Sequence, residues 1–316
     1  MSRSDHDPSP LDDAARAGWL SYVGGMTQDQ IAVELGVSRQ RAQRLVSRAM
    51  AEGLIRVRLD HRIGACLRLE AELTRRFALM ECRVAPALAP GADPAHGIAG
   101  VAAEVFERVL ARPEPQVIAV GTGRALRGMA DELQPQPCIR HRIVSLIGNI
   151  APDGSASFFD VLMRIADKLQ APHYPMPVPV ISDSAEERAS FYRLRPVRAV
   201  VDLAQRADAT FVGVGQMGDD APLYKDGFIT LDELRDLQRQ GASGEVAGNI
   251  YDASGRYLET ELIGRMGGVR IAPASDRPVV GIAAGPTKVA AIRAALTGRI
   301  INALVTDETT AQALLA

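Results

Sequence analysis

From residue 98 onward, short apolar runs alternate with helix-period stretches, and run after run ends on glycine or a small polar residue. Val117-Ile118-Ala119-Val120 leads into Gly121-Thr122-Gly123-Arg124, and Ile143–Ile147 into Gly148-Asn149. Phe211-Val212-Gly213-Val214-Gly215 is followed by Gln216, Val279–Ala283 by Ala284-Gly285, and Ala303-Leu304-Val305 by Thr306-Asp307. Strands that are apolar at every position are buried on both faces, and the helices between them supply the cover. This rhythm predicts an α/β fold with a doubly wound, mostly parallel sheet. Helices are expected over 158–169, 185–206, 231–240 and 308–315, with two more after Arg124 and Gly285. Val178-Pro179-Val180 is extended, and its proline cannot donate to a ladder, which suits an edge.

At 316 residues the chain is long for one domain, given about 150 residues per domain. With 47% hydrophobic and 23% charged residues it lacks the signature of disorder. No apolar run reaches the roughly 18 residues of a membrane span, and Met1–Pro10 has no secretory-signal core. Cys66, Cys82 and Cys138 are scattered and odd in number, so neither a disulfide framework nor a zinc site is expected. A cytoplasmic protein with no metal, cofactor or membrane contact is the expectation. Residues 1–10 read as a disordered tail, 11–60 as a helical domain, 61–80 as a linker helix and 81–316 as the α/β domain.

The helical domain has a specific layout. Ala14, Ala15, Gly18, Trp19 and Tyr22 are spaced along one face of a first helix, which Gly24-Gly25 ends. Thr27-Gln28-Asp29-Gln30 is a capping box, with Ile31, Ala32 and Leu35 on the buried side of the second helix. Gly36 supplies the turn, and Ser38 caps a third helix whose apolar stripe is Ala42, Leu45, Val46 and Ala49. Residues 54–59 then alternate like a short strand. Two capped helices about a glycine turn make a helix-turn-helix.

The net charge of −2 conceals a local excess: residues 36–58 hold Arg39, Arg41, Arg44, Arg48, Arg56 and Arg58 against Glu52 alone. The outer face of the third helix carries Arg39, Gln40, Gln43, Arg44 and Ser47. An arginine fork matches guanine O6/N7, and glutamine pairs with adenine N6/N7. Arg41, Arg48, Arg56 and Arg58 suit phosphates, as do Thr27, Gln28 and Ser38 at helix amino ends. A plain three-helix bundle with a solvated arginine face is the alternative. The caps, the turn glycine and the local charge together favour double-stranded DNA.

Ligands of open α/β sheets bind beyond the carboxyl ends of the strands. That places Gly121, Thr122, Gly123, Arg124, Gly148, Asn149, Gly215 and Gln216 as candidates for a small molecule. Any one glycine turn serves sterics as readily as binding; several together favour a ligand. Neither a dinucleotide fingerprint nor a P-loop is present. Three of the 36 basic residues are lysines, and one of them, Lys288, stands at a helix start where the dipole disfavours a cation. A ligand role and an ordinary surface role both remain open for it. Glu245 and Asp252, in the Gly/Asn-rich stretch 244–255, either accept hydrogen bonds from sugar hydroxyls or close turns.

These pieces, in order, resemble the SorC family of sugar-binding transcriptional regulators over nearly the whole chain. The likeness rests on Gly25-Met26-Thr27-Gln28, Leu35-Gly36-Val37-Ser38-Arg39, Val120–Arg124 and Val212–Gly215. It continues through Gly241–Glu245, Tyr251–Gly255, Ala284-Gly285, Lys288 and Leu304–Ala311. The amino-terminal segment is most similar to the branch that regulates polyol operons such as those for erythritol. The resemblance implies an effector domain related to sugar-phosphate isomerases, without their catalysis. It implies a homodimer or homotetramer on operator DNA, with affinity altered by a sugar, sugar alcohol or sugar phosphate. It puts that effector near Gly121–Arg124, Gly148-Asn149, Gly215-Gln216, Glu245, Asp252 and Lys288. Two departures weaken a phosphate site and leave a free polyol open: Ala125, where a hydroxyl residue is frequent, and Pro286, in place of a second glycine.

Two other classes compete. A sugar-phosphate isomerase or deaminase would use Lys288 with Asp252 or Asp307, but His6, His61, His96, His141 and His173 all lie outside the glycine-tipped motifs. A scaffold protein would not need the capped, arginine-faced helix.

Overall fold

The computed structural model of the chain describes residues 10–55, 63–151, 153–156 and 161–316. The chain divides into two compact units, Met1–His61 and Arg62–Ala316.

The first unit packs three helices, α1 (Pro10–Tyr22), α2 (Gln28–Glu34) and α3 (Arg39–Ala51). Ala14, Ala17, Ile31, Ala32, Ala42, Leu45 and Ala49 form its core. Small residues let the helices approach closely: a Cβ on Gly18 would meet Ala49 Cβ at 2.9 Å and Ile55 Cδ1 at 2.1 Å. Ala15, Trp19 and Tyr22 do not share the inner face with Ala14 and Gly18: all three are exposed, Trp19 at 63% and Tyr22 at 48%. The turns follow the sequence chemistry, with Gly25 and Gly36 both at φ 63°, where a side chain is strained. The first helix starts at Pro10, the last position of the expected tail; the rest of that tail lies outside the described residues. The strand expected over 54–59 does not form at Leu54 and Ile55, because the Leu54 N–H closes α3 on Ala49 O and Ile55 packs on the core. Its remaining positions, Arg56 and Arg58 among them, lie outside the described residues.

The second unit opens with α4 (Gly64–Phe77), β1 (Glu81–Ala85), α5 (Pro94–Leu110), β2 (Val117–Val120) and α6 (Arg124–Glu132). It continues with β3 (Arg142–Ile150), α7 (Val161–Leu169), β4 (His173–Pro179), α8 (Ala185–Arg193), α9 (Arg195–Gln205) and β5 (Ala209–Gly213). Next come β6 (Gly215–Gln216), α10 (Pro222–Lys225), α11 (Leu231–Arg239), β7 (Ala242–Val246) and β8 (Asn249–Asp252). It ends with α12 (Glu261–Arg265), β9 (Val279–Ile282), a 3-10 turn at Pro286–Lys288, α13 (Val289–Thr297), β10 (Ala303–Asp307) and α14 (Glu308–Leu315).

Seven strands form a parallel sheet in the order β1-β10-β9-β5-β2-β3-β4, with β4 at an edge as its prolines require. Alternate residues feed two cores: Ile118 and Val120 lie with the α5–α7 residues Phe106, Leu126 and Ile165, whereas Ala119 lies with Leu73, Val197, Ile292 and Leu314. Both faces are thus helix-covered, which explains the unbroken apolar runs. The helix expected as a linker, α4, packs against β1 and α14, with Leu73 fully buried, so it belongs to this unit.

Two features exceed the sequence expectation. The stretch 242–252 forms an antiparallel hairpin, β7–β8, joined by Ala247-Gly248 with positive φ at both (49° and 76°). This is the geometry of a two-residue hairpin turn. With β6 it makes a three-stranded sheet, over which Leu234, Leu237, Ile250 and Leu262 form a separate apolar cluster.

Candidate functional site

In the first unit, Thr27 Oγ1 accepts the Gln30 N–H at 3.4 Å while Gln30 Oε1 accepts the Thr27 N–H at 2.8 Å. Ser38 Oγ accepts the Arg41 N–H at 3.2 Å, so both helices are capped as their sequences demand. Burying Ala42, Leu45 and Ala49 turns Arg39, Gln40, Gln43, Arg44 and Ser47 outward along one exposed face of α3. The arginines there are not equivalent. Arg39 lies 3.5 Å from Asp29, Arg41 lies 3.6 Å from Asp13 and Arg48 lies 3.7 Å from Glu52. Arg44 has no ion-pair partner among the described residues. Exposed pairs of this kind are worth about 0–1 kcal/mol, so a phosphate or base can take over any of these three cations.

In the second unit, the chain winds outward from the middle of the sheet in both directions. β2, β3 and β4 run one way, then β5, β9 and β10 run the other. The crevice between the carboxyl ends of β2 and β5 is the topological switch point, where open α/β sheets hold ligands. A cavity of about 190 Å³ lies there. Gly121, Thr122, Gly123 and Arg124 line it from the β2–α6 turn, and Gly213 and Gly215 from the end of β5 and start of β6. Gly123 (φ 117°) and Gly285 (φ 116°) make the two turns into α6 and into the 3-10 turn. L residues rarely adopt this backbone conformation.

The cavity holds opposed charges. Gly215 gives Glu245 room: a Cβ there would stand 2.8 Å from Glu245 Oε2. The other carboxylate oxygen, Oε1, accepts the N–H of Gly248 from the hairpin turn. Burial pushes the Glu245 carboxyl up, against the pull of that N–H and of Lys288. Burial likewise pulls the Lys288 ammonium down, while Glu245 and Asp93 counteract and Arg124 adds to the depression. Among the described residues the ammonium has no hydrogen-bond or ion-pair partner. Arg124 Nη2 donates to Asp226 Oδ1 at 2.8 Å.

Seven of the eleven residues expected from sequence meet at this cavity: Gly121, Thr122, Gly123, Arg124, Gly215, Glu245 and Lys288. The other four lie elsewhere. Gly148 is a packing glycine, since a Cβ would meet the Val178 and Pro179 carbonyls at 2.5 Å. β3 runs on through Asn149, leaving it exposed, and Ile147 reaches the cavity instead. Gln216 folds back, its Nε2 on Asp220 Oδ1 at 2.7 Å and its Oε1 on the Gly218 N–H. Asp252 closes a turn by accepting from Ser254 N at 2.8 Å and from Arg256 N at 3.0 Å. The Ser254 hydroxyl, foremost, holds its carboxyl below the usual range.

Sequence reasoning missed Asp93, Asp226 and Phe228, which complete the cavity wall. Asp93-Pro94 carries a signal, an N-cap followed by proline at the first helical position, and the Asp93 carboxylate does accept the Ala95 N–H at 3.0 Å. Asp226-Gly227 reads only as a turn. His141, one of the histidines expected to lie outside the glycine-tipped motifs, is buried between Gln116 N and Leu110 O, both 3.0 Å from its ring nitrogens, and is structural.

An arginine-faced helix-turn-helix and a second unit with a ligand cavity at its switch point define a ligand-responsive DNA-binding regulator. The comparisons with known proteins agree. Residues 61–316 match the family model described as "Putative sugar-binding domain", and residues 17–63 match the MarR family. The chain is 35% identical over 302 residues to the erythritol catabolism regulatory protein EryD of Brucella abortus, covering 96% of each. It is 35% identical to the transcriptional regulator LsrR of Enterobacter sp. (strain 638), covering 96% of this chain and 92% of that one. The crystal structure of the full-length sorbitol operon regulator SorC from Klebsiella pneumoniae superposes with a TM-score of 0.71 at 25% identity, covering 97% and 99% of the two chains. The chain belongs to the SorC family of sugar-binding transcriptional regulators. It binds DNA and a sugar effector, and is a regulator, not an enzyme. Among the described residues no helix is long and apolar enough to cross a membrane.

Proposed function

We propose that this protein controls a carbohydrate or polyol catabolic operon in the cytoplasm, as a homodimer or homotetramer whose operator affinity changes when a sugar, sugar alcohol or sugar phosphate enters the 190 Å³ cavity. The observation that carries this reading is the unpartnered Lys288 ammonium facing Glu245 at the sheet's switch point. A donor and an acceptor poised across one small space suit a polyhydroxylated ligand. Residues 11–60 read DNA, with Arg39, Gln40, Gln43 and Arg44 on base edges and Thr27, Gln28, Ser38, Arg41 and Arg48 on phosphates. Residues 61–80 continue into the effector domain, 81–316. Effector binds one arrangement of the paired heads better than the other and shifts the population. Half-sites about one helical turn apart, or a multiple of it, follow for each dimer. The name of the Brucella abortus relative supports a polyol operon as the target.

Selection of fragmented genomic DNA by the purified protein, followed by sequencing, tests this. A few sharply enriched sites beside a sugar or polyol operon are expected. No enrichment with folded protein, with or without a mixed sugar and polyol pool, would overturn it.

A further inference from the structure

We propose that the effector is an uncharged polyol and that the cavity discriminates against its phosphate ester. This rests on reading the switch-point cavity as the effector site. Five ionisable side chains line its walls: Arg124 and Lys288 against Asp93, Asp226 and Glu245. Carboxylates outnumber cations. One cation is already answered, since Arg124 donates to Asp226 at 2.8 Å. The other, Lys288, shares the cavity wall with both Glu245 and Asp93, whose charges act on it. A phosphate dianion offers only acceptors and would bring two further negative charges among three carboxylates in a space partly shielded from water, where repulsion is screened little. A hydroxyl group both donates and accepts. It satisfies the Lys288 ammonium with its oxygen and Glu245 with its proton, and a vicinal diol repeats the pattern along the ligand.

The backbone agrees with the side chains. At the turn after β9, the Gly285 N–H is spent on Thr310 Oγ1 at 2.8 Å, and the Lys288 N–H on Gly285 O at 3.1 Å. Pro286 has no N–H to give. This turn therefore cannot wrap a phosphate in successive amides as anion nests do. At the turn after β2, Ala125 contributes a methyl group where a hydroxyl would help hold phosphate oxygens, and the Arg124 guanidinium is held by Asp226. The uncapped amino end of α6 suits a hydroxyl oxygen as well as an anion.

Isothermal titration calorimetry of the full-length protein decides the matter. The probes are free tetritols, pentitols and hexitols, the monophosphate of each, and inorganic phosphate. One free polyol is expected to bind at least about tenfold more tightly than its monophosphate. Its Kd is expected to stay constant from about 50 mM to about 500 mM NaCl, since no net ligand charge is being screened. Glu245→Gln should weaken the polyol and narrow the gap to the monophosphate. Asp226→Asn, should the first variant not fold, should narrow the gap from the phosphate side alone. A monophosphate that binds more tightly than its parent overturns the proposal and leaves the effector reading standing. Binding of neither series, with DNA binding intact, overturns both.

Discussion

The Arg124 guanidinium lies 2.8 Å from the Asp226 carboxylate and joins two cavity walls that are 102 residues apart in sequence. With 55% of the arginine side chain exposed, this pair contributes below about 1 kcal/mol to folding. Arg124→Ala should therefore leave the thermal midpoint within a few degrees of wild type while weakening the effector about tenfold. Melting curves and calorimetry on the same preparation check both halves. A large loss of stability with unchanged affinity would make the pair structural.

Gly215 offers a more local probe. Its absent side chain leaves room for Glu245 Oε2, which a Cβ would approach to 2.8 Å. Gly215→Ala should displace that carboxylate and weaken effector binding, while the outlying hairpin keeps its register. Calorimetry reads the affinity and circular dichroism the fold. An alanine variant with native affinity would remove Glu245 from the effector's contacts.

On α3 the arginines separate by environment. Arg44, with no ion-pair partner among the described residues, is assigned to base edges, and Arg44→Ala should cost about 1–3 kcal/mol of discrimination at one base pair. Arg41→Ala and Arg48→Ala should weaken all sequences alike and reduce the salt slope by about one each. Binding measured on a panel of single-base operator variants at several salt concentrations distinguishes the two behaviours. Uniform weakening by Arg44→Ala would refute its assignment.

The raised Glu245 carboxyl has a sign that can be checked. The folded state holds this proton more tightly than the unfolded state does. Its contribution to stability is thus complete below the ordinary glutamate value of about 4.3, and is lost as pH rises through the raised folded value. Lys288 acts oppositely: its folded value is depressed, so stability rises with pH between that value and the ordinary lysine range. In urea denaturation between about pH 4 and about pH 7, Glu245→Gln should lose less stability than wild type as pH rises. Parallel curves would contradict the buried carboxyl.

Most of the fold was legible because two local rules rarely mislead. Runs such as Val117–Val120, apolar at every position, belong only in a sheet covered on both sides, and the caps at Thr27 and Ser38 mark helix starts by hydrogen bonds their own side chains make. The cavity was half legible for a related reason. Gly121–Arg124 and Lys288 sit at strand ends, where position alone predicts ligand contact, whereas Asp226 and Phe228 reach the cavity through a segment with no such signal. Composition said less at 244–255, where glycine and asparagine left ligand and turn roles open but gave no sign that 242–252 builds a hairpin with close backbone approaches. A Cβ on Gly244 would collide with the buried Tyr251 ring at 2.5 Å. Gly148 misled, since a packing glycine and a ligand glycine look alike until the neighbouring strand is in place.

Operator affinity measured by fluorescence anisotropy, with and without the polyol, in wild type and Lys288→Ala, tests the central claim most directly. The wild-type affinity should shift at least about fivefold on adding effector, in either direction. Lys288→Ala should bind the operator as wild type does without effector, and should lose the shift. A full shift retained by Lys288→Ala would contradict the placement of the effector beside this lysine.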